Sequence, residues 1–337
     1  MLIVDIDKRW ADWCLENVAL GVPPEAMLPV MLKADVPQQT AMELLDNIQK
    51  LPGYTTVRKI AHQVKKLESF NLNHQKLLDQ DPSRKTIERV SGLTRESFFN
   101  DYWLQNKPVI ITDFLDYCDG YEVLCMEYLL ENYGDEVVEV QEAREKDPEF
   151  EINSISHKST MSMSGFIKRV MAAGETNDFY MTANNMSVKK TRLSELLDFL
   201  KGVPRYCVAP SVEGHNGMLW VGPKGTKTPL HHDECAILHP HMYGSKRWIM
   251  ISPNYSSCLY NHEHVFSEVD IFNIDYAKFP KMEKVKMYDV TLEQGETLFI
   301  PVNWWHAVQS VSPCISFTLT GFPYENTWSY HRPSRWS

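Results

Sequence analysis

The chain carries His231-His232-Asp233 on a stretch opened by Thr228-Pro229-Leu230, and it places a further histidine, His306, far downstream in Trp304-Trp305-His306. These three groups can meet on one ion only in a fold that returns two distant strands to the same place. In an extended strand, residues two apart share a face, so His231 and Asp233 point one way and His232 the other. The run Glu296 to Val302 is apolar, β-prone and ends at a turn, and it leads into His306. A β-barrel joins two such strands across its interior. Two imidazoles and one carboxylate on one face of a metal leave coordination positions open, the ligand set of non-haem Fe(II) oxygenases.

An isolated His-x-Asp arises by chance in a chain with 12 histidines, so the tripeptide needs context. Lys246 supplies some. It sits in Gly244-Ser245-Lys246-Arg247-Trp248-Ile249-Met250, which reads as a turn followed by a strand. An ordinary turn lysine is exposed, whereas one projecting into a barrel requires an anion. A dicarboxylate cosubstrate is such an anion.

On these residues the stretches Thr228 to Trp248 and Gly295 to Phe322 resemble the JmjC, or cupin-like, Fe(II)- and 2-oxoglutarate-dependent oxygenases. Within that family the resemblance is to the branch of asparaginyl hydroxylases acting on hypoxia-inducible factor. It spans roughly residues 85 to 325 and includes Phe98-Phe99 through Lys107-Pro108-Val109-Ile110-Ile111 as the first strand of the domain. It implies a mainly β fold with flanking helices (α+β), a double-stranded β-helix or jelly-roll barrel, preceded here by an N-terminal helical segment.

The resemblance further implies that His231, Asp233 and His306 hold Fe(II), and that Thr228 and Lys246 bind the distal carboxylate of 2-oxoglutarate. Tyr180, in Asp178-Phe179-Tyr180-Met181, resembles the tyrosine that adds a hydroxyl to that carboxylate. Ile237 and Thr320 stand where the branch has asparagines, Thr320 falling among the cosubstrate-binding positions; substrate identity is therefore not inherited. His239 and His241 alternate onto the inward face with Ile237 if no bulge intervenes. They are read as packed histidines or as contacts to cosubstrate or substrate. Asn261-His262-Glu263-His264 is a rival metal motif by composition and reads as part of a long barrel loop.

The activity implied consumes O2 and 2-oxoglutarate, yields succinate and CO2, and hydroxylates an amino-acid side chain in a peptide or protein. The alternatives are demethylation of N-methyl-lysine or N-methyl-arginine by the same chemistry, with formaldehyde released, and a non-catalytic cupin binding protein. A zinc-dependent hydrolytic cupin would not need the Thr228 and Lys246 pair. Loops 144–160 and 255–285 are expected to set the substrate.

Composition narrows the partners. A net charge of −10 leaves no broad basic field, so nucleic acid is not an expected partner and a cationic peptide or protein is favoured. No apolar run reaches the length of a membrane span, and the Met1 to Asp7 start has acids and no basic stretch, which predicts no signal peptide. Seven cysteines with no C-x-x-C pair resemble reduced thiols, so a cytoplasmic location is expected. Cys235, two residues after Asp233, is expected near the metal as a small packed residue.

Two parts are predicted: residues 1–75, an N-terminal helical segment for docking, dimerisation or partner binding, and residues 85–337, the oxygenase domain. Asp79 to Ser83 reads as a polar linker. Met27, Leu28, Met31 and Leu32 form one apolar helical stripe. Residues 126–133 and 194–201 read as helical insertions, and Ala143 to Phe150 as a charged loop. Members of the asparaginyl branch dimerise through helices after the barrel; with the chain ending at Ser337, a homodimer would use the N-terminal helices.

Overall fold

A computed structural model describes residues 8–183, 185, 187–211, 217–261 and 264–326. The chain divides into two compact units, Met1–Lys76 and Leu77–Ser337. No helix among the described residues is long and apolar enough to cross a membrane.

The first unit contains α1 (Lys8–Leu20), α2 (Pro24–Lys33), α3 (Gln38–Asp46) and most of the 25-residue α4 (Tyr54–Leu78). Gly21, at φ +79°, takes the left-handed conformation that ends α1, and Pro23-Pro24 starts α2. Cys14, Met27, Met31, Ala41, Leu44 and Ile48 form its core, and burial pushes the Cys14 thiol up to about 11. The stripe expected on α2 is narrower than predicted. Met27 and Met31 are fully buried, Leu28 packs at the edge, and Leu32 is exposed. A ten-residue helix in so small a unit covers only one line of its surface, and Leu32 is one step, about 100°, round from Met31.

The second unit is built on two facing sheets. The larger has the order β1 (Glu88–Val90), β2 (Val109–Ile111), β10 (Thr297–Ile300), β7 (Ile237–Tyr243), β12 (Cys314–Leu319), β5 (Gly217–Gly222). The smaller runs β6 (Lys227–His232), β11 (Trp305–Ser310), β8 (Lys246–Ile251), β9 (Tyr288–Leu292). All pairings within them are antiparallel except β1 with β2. A two-stranded ribbon, β3 (Val137–Gln141) with β4 (Lys158–Ser162), stands apart. The architecture is the jelly-roll α+β fold expected from the sequence.

Period-two alternation divides the large sheet into two chemistries. Its outer face, with Val109, Ile111, Leu219, Val221, Leu238, Phe299, Ile315, Phe317 and Leu319, packs under α5 (Arg95–Phe98, continued by a π turn over Phe99–Trp103), α6 (Met126–Tyr133) and α7 (Met163–Ala172). Its inner face is apolar at one end, where Ile110, Ile237, Leu298 and Ile300 meet Trp248, Met250 and Val308 of the small sheet. Elsewhere inside the barrel the residues are polar: His239, His241, Ser316, Thr318 and, from β8, Lys246, all buried. Burying so many polar groups is costly unless they are paired or meet a ligand.

The helical insertion expected at 126–133 is α6, and that at 194–201 is a 3₁₀ segment, Arg192–Leu200. The charged loop Ala143 to Phe150 is less solvated than predicted, because Arg144 within it is fully buried.

Candidate metal centre

The run from Thr228 through His241, expected as one strand, is divided between β6 and β7, and Lys246 opens the separate strand β8 that follows the expected turn. Thr228 and His231 lie three apart, which in a regular strand would put them on opposite faces. Both nevertheless line the barrel cavity. Thr228 pairs with Val308 and His231 with His306, so β6 spends one more residue than β11 between these pairs. That extra residue is a β-bulge at Pro229-Leu230, where proline's missing N–H costs the ladder nothing.

Asp233 follows the end of β6, in the bend before β7. Its carbonyl accepts the Asn303 N–H at 3.1 Å, tying this bend to the turn that leads into β11. Asn303 is held at φ +64°, a conformation asparagine tolerates. Asn326 pins the same bend by donating to the Ala236 carbonyl at 2.9 Å and accepting the Ala236 N–H at 2.7 Å. Cys235 lies in this bend, so it shares no strand face with Asp233, yet it reaches the cavity wall. Burial pushes its thiol up to about 11, keeping it protonated.

One ligand atom each from His231, Asp233 and His306 lies within 4.8 Å of the others, and His306 Nε2 is 3.5 Å from Asp233 Oδ2. The histidines are set by their other nitrogens. His231 Nδ1 donates to the Pro229 carbonyl at 2.8 Å and His306 Nδ1 to the Trp304 carbonyl at 3.0 Å. A carbonyl only accepts, so each imidazole donates from Nδ1 and presents Nε2 toward the other ligands. Burial, with His231 alongside, pushes His306 down to about 3, so it is neutral as a ligand must be. This donor set fits a divalent transition metal with open positions. His232 turns from the cavity and packs edge-on against Trp305, 4.6 Å between ring centres.

The cavity beyond the three ligands has a volume of about 350 Å³. Lys246, 1% exposed, sits in its wall, donating to Ser316 Oγ at 2.7 Å and to Tyr180 Oη at 3.2 Å. Among the described residues no carboxylate pairs with it, and desolvation pushes the ammonium down to about 8. Tyr180 is buried, its hydroxyl pushed up by desolvation, and its ring occupies space that Gly222 leaves open: a Cβ at Gly222 would lie 2.5 Å from it. Thr228, Tyr180, Lys246 and Thr320 therefore share one cavity with His231, Asp233 and His306, and Ile237 faces it too.

Four further wall or supporting residues were not singled out from the sequence. Trp220 and Thr318 line the cavity, joined by a bond from Trp220 Nε1 to Thr318 Oγ1 at 2.8 Å, and Ser316 receives the lysine. Their signal was present as the alternation Ser316, Thr318, Thr320 on β12 and its continuation. Arg144 stacks beneath Tyr180, 5.2 Å from its ring centre, and bonds to Gln141, Glu151 and the Lys227 carbonyl. Nothing in its charged, loop-like surroundings marked it. His239 and His241 are both buried, as alternation predicts, and only His239 is on the cavity wall among the described residues. Of the Asn261 to His264 motif, His262 and Glu263 lie outside the described residues; Asn261 donates to the Phe266 carbonyl at 2.7 Å, in the loop that brings Val265 and Phe266 to the cavity. The Met1 to Asp7 start likewise lies outside them.

A barrel of two antiparallel sheets with a His-Asp-His group facing its interior defines a cupin. The chain belongs to the cupin-like family, whose domain matches residues 95–319. It is 30% identical over 70% of its length to the lysine-specific demethylase JMJ30 of Arabidopsis thaliana, and 25% identical over 69% to Jumonji C domain-containing protein 5 of Drosophila melanogaster. Over 31% of its length it is 37% identical to the HSPB1-associated protein 1 homolog of Danio rerio. These matches cover 54%, 59% and 25% of the respective relatives, so the chain spans little more than half of the first two and a quarter of the third. The cupin-like domain is thus similar to proteins named as a lysine-specific demethylase and as a Jumonji C domain-containing protein. None of these three relatives is named as an asparaginyl hydroxylase.

Proposed function

We propose that the chain is an Fe(II)- and 2-oxoglutarate-dependent dioxygenase that hydroxylates an amino-acid side chain in a peptide or protein. The observation that carries this reading is Lys246, a buried cation lacking a carboxylate partner in the same cavity as His231, Asp233 and His306. A metal-binding or hydrolytic cupin has no use for it; a dicarboxylic cosubstrate does.

In this reading iron held by His231, Asp233 and His306 supplies the activation of dioxygen, one oxygen atom going to the substrate C–H and the other to succinate as 2-oxoglutarate loses CO2. Lys246, Tyr180 and Thr228 bind the distal carboxylate and so fix the 2-oxo acid end toward the ligands. Ile237, Trp248, Ile300 and Val308 keep water from the carbon chain between. Glu151 and Phe266, from the two loops expected to set the substrate, face the same cavity and place those loops where a polypeptide substrate would enter. Thr320, further along the wall, would contact cosubstrate or substrate.

A second reading, N-methyl-lysine demethylation, draws support from the likeness to a lysine-specific demethylase. The protein-dependent step is the same, and the hydroxylated methyl leaves as formaldehyde. Candidate peptides incubated with the protein, Fe(II), 2-oxoglutarate and ascorbate separate the two: a gain of one oxygen by mass supports hydroxylation, and loss of methyl with formaldehyde supports demethylation. Absence of succinate with every peptide would count against both.

A further inference from the structure

His239 is fully buried on β7, on the wall of the cavity that holds Lys246, and its Nε2 has no hydrogen-bond partner among the described residues. The neighbouring bonds determine what that nitrogen offers. Thr318 Oγ1 accepts the Trp220 Nε1 proton at 2.8 Å and lies 3.3 Å from His239 Nδ1. Of the two tautomers, the one in which His239 Nδ1 accepts also gives the Thr318 hydroxyl proton an acceptor among the described residues. Burial and the adjacent Lys246 ammonium keep the imidazole neutral. A neutral ring that accepts at Nδ1 carries its proton at Nε2. The result is a buried N–H donor in the pocket that also holds the Lys246 ammonium. His241, 6.4 Å away between ring centres, is not on the cavity wall and takes no part.

We propose that His239 is a specificity-determining residue: its Nε2–H is a further donor to the distal carboxylate of the cosubstrate, so that Trp220, Thr318, His239 and Lys246 together select a dicarboxylic 2-oxo acid. This rests on the reading of Lys246 as the carboxylate anchor. His239 on β7 adds its donor to those that Lys246, Tyr180 and Thr228 offer the carboxylate, and a ligand ending in methyl leaves the Nε2–H buried and unpaired. The penalty for that unpaired donor is what discriminates.

The test uses the full chain loaded with Zn(II), which binds without turnover, and compares by calorimetry the affinities for 2-oxoglutarate and for 2-oxopentanoate, which has a methyl in place of the distal carboxylate. In His239→Leu the preference for 2-oxoglutarate is expected to fall about tenfold or more, as for a lost hydrogen bond to a charged group, with 2-oxopentanoate binding tightened because no buried donor is left unpaired against its methyl. His239→Gln, which keeps an N–H donor, is expected to recover part of the preference. An unchanged preference in His239→Leu, while Lys246→Met lowers it, overturns the role of His239 alone. An unchanged preference in Lys246→Met overturns the anchor reading beneath it. Should His239→Leu fail to fold, nitrogen-15 spectra of histidine-labelled parent protein decide: 2-oxoglutarate must shift an imidazole signal that 2-oxopentanoate leaves in place, and identical spectra with the two acids overturn the proposal.

Discussion

At the scale of single residues, the site is governed by which atoms carry protons. Asp233 supplies the one carboxylate of the ligand set, beside two imidazoles. Asp233→Ala is expected to abolish 2-oxoglutarate turnover and to weaken Mn(II) binding by at least tenfold, the scale of a lost metal ligand; succinate production at the parent rate would refute the ligand set. Lys246 titrates in a useful range. Its ammonium, pushed down to about 8 by burial, is the form an anion needs, so 2-oxoglutarate affinity should be flat below about pH 8 and weaken about tenfold per pH unit above it. The neighbouring Tyr180 and Cys314 are pushed upward and His239 downward, so none of them competes in this window. The same shift acts oppositely on the free protein. The unfolded lysine binds a proton that the folded one has released, so this residue's contribution to stability rises with pH between about 8 and 10.5. Calorimetric titration with 2-oxoglutarate across pH 7 to 9.5 checks the first sign, and Lys246→Met should remove the pH dependence while raising the cosubstrate concentration required. His231, Asp233, His306 and Lys246 could be picked out of the sequence from the His-x-Asp spacing, the apolar run before His306 and the turn before Lys246, although Asp233 lies in a bend beyond β6 and not on the strand face that alternation assigned it. His239's role was not, since a tautomer depends on Thr318 and Trp220, which come from other strands.

At the scale of elements, three local irregularities build the cavity. The bulge at Pro229-Leu230 turns Thr228 and His231 to the same side, and strict alternation from Thr228 could not have placed both there. The bend from Asp233 to Ala236 divides what reads as a continuous strand, because Asn303 and Asn326 satisfy its backbone from residues distant in sequence. Gly222 on β5 makes room for the Tyr180 ring, itself held from below by Arg144. Gly222→Ala is therefore expected to displace Tyr180 from Lys246 and raise the 2-oxoglutarate dissociation constant several-fold, and overpacking of this kind costs about 1–3 kcal/mol of stability. A variant with the parent's affinity and thermal midpoint would show that the ring is free to yield. The strands were legible in outline because Val, Ile and Phe alternate with polar residues. Their irregularities were not, since each is stabilised by a partner far along the chain.

At the scale of the whole molecule, the described residues placed around the cavity belong to the Leu77–Ser337 unit. The helical unit has a core of its own around Met27, Met31 and Leu44. Many of its larger apolar side chains remain exposed, among them Leu20, Val30, Ile60, Val64, Leu67 and Phe70. We propose that it serves recognition or assembly, and that the barrel unit carries the chemistry unaided. The stretch from Asp79 to Ser83, where Asp81 Oδ1 accepts the Ser83 N–H at 2.9 Å, is the natural place to separate them, because β1 and everything after it follow. A chain beginning at Leu77 keeps the Asp79 contact to Lys286 and all the strands. It should fold cooperatively, bind Mn(II) and 2-oxoglutarate within about threefold of the full chain, and support the same uncoupled succinate formation, since an unperturbed site leaves affinities within about 0.6 kcal/mol. Turnover of a polypeptide substrate should fall instead if the helices hold that substrate. Loss of 2-oxoglutarate binding in a barrel that still folds would mean that the helical unit shapes the cavity itself, and the division of labour proposed for the two units would be withdrawn.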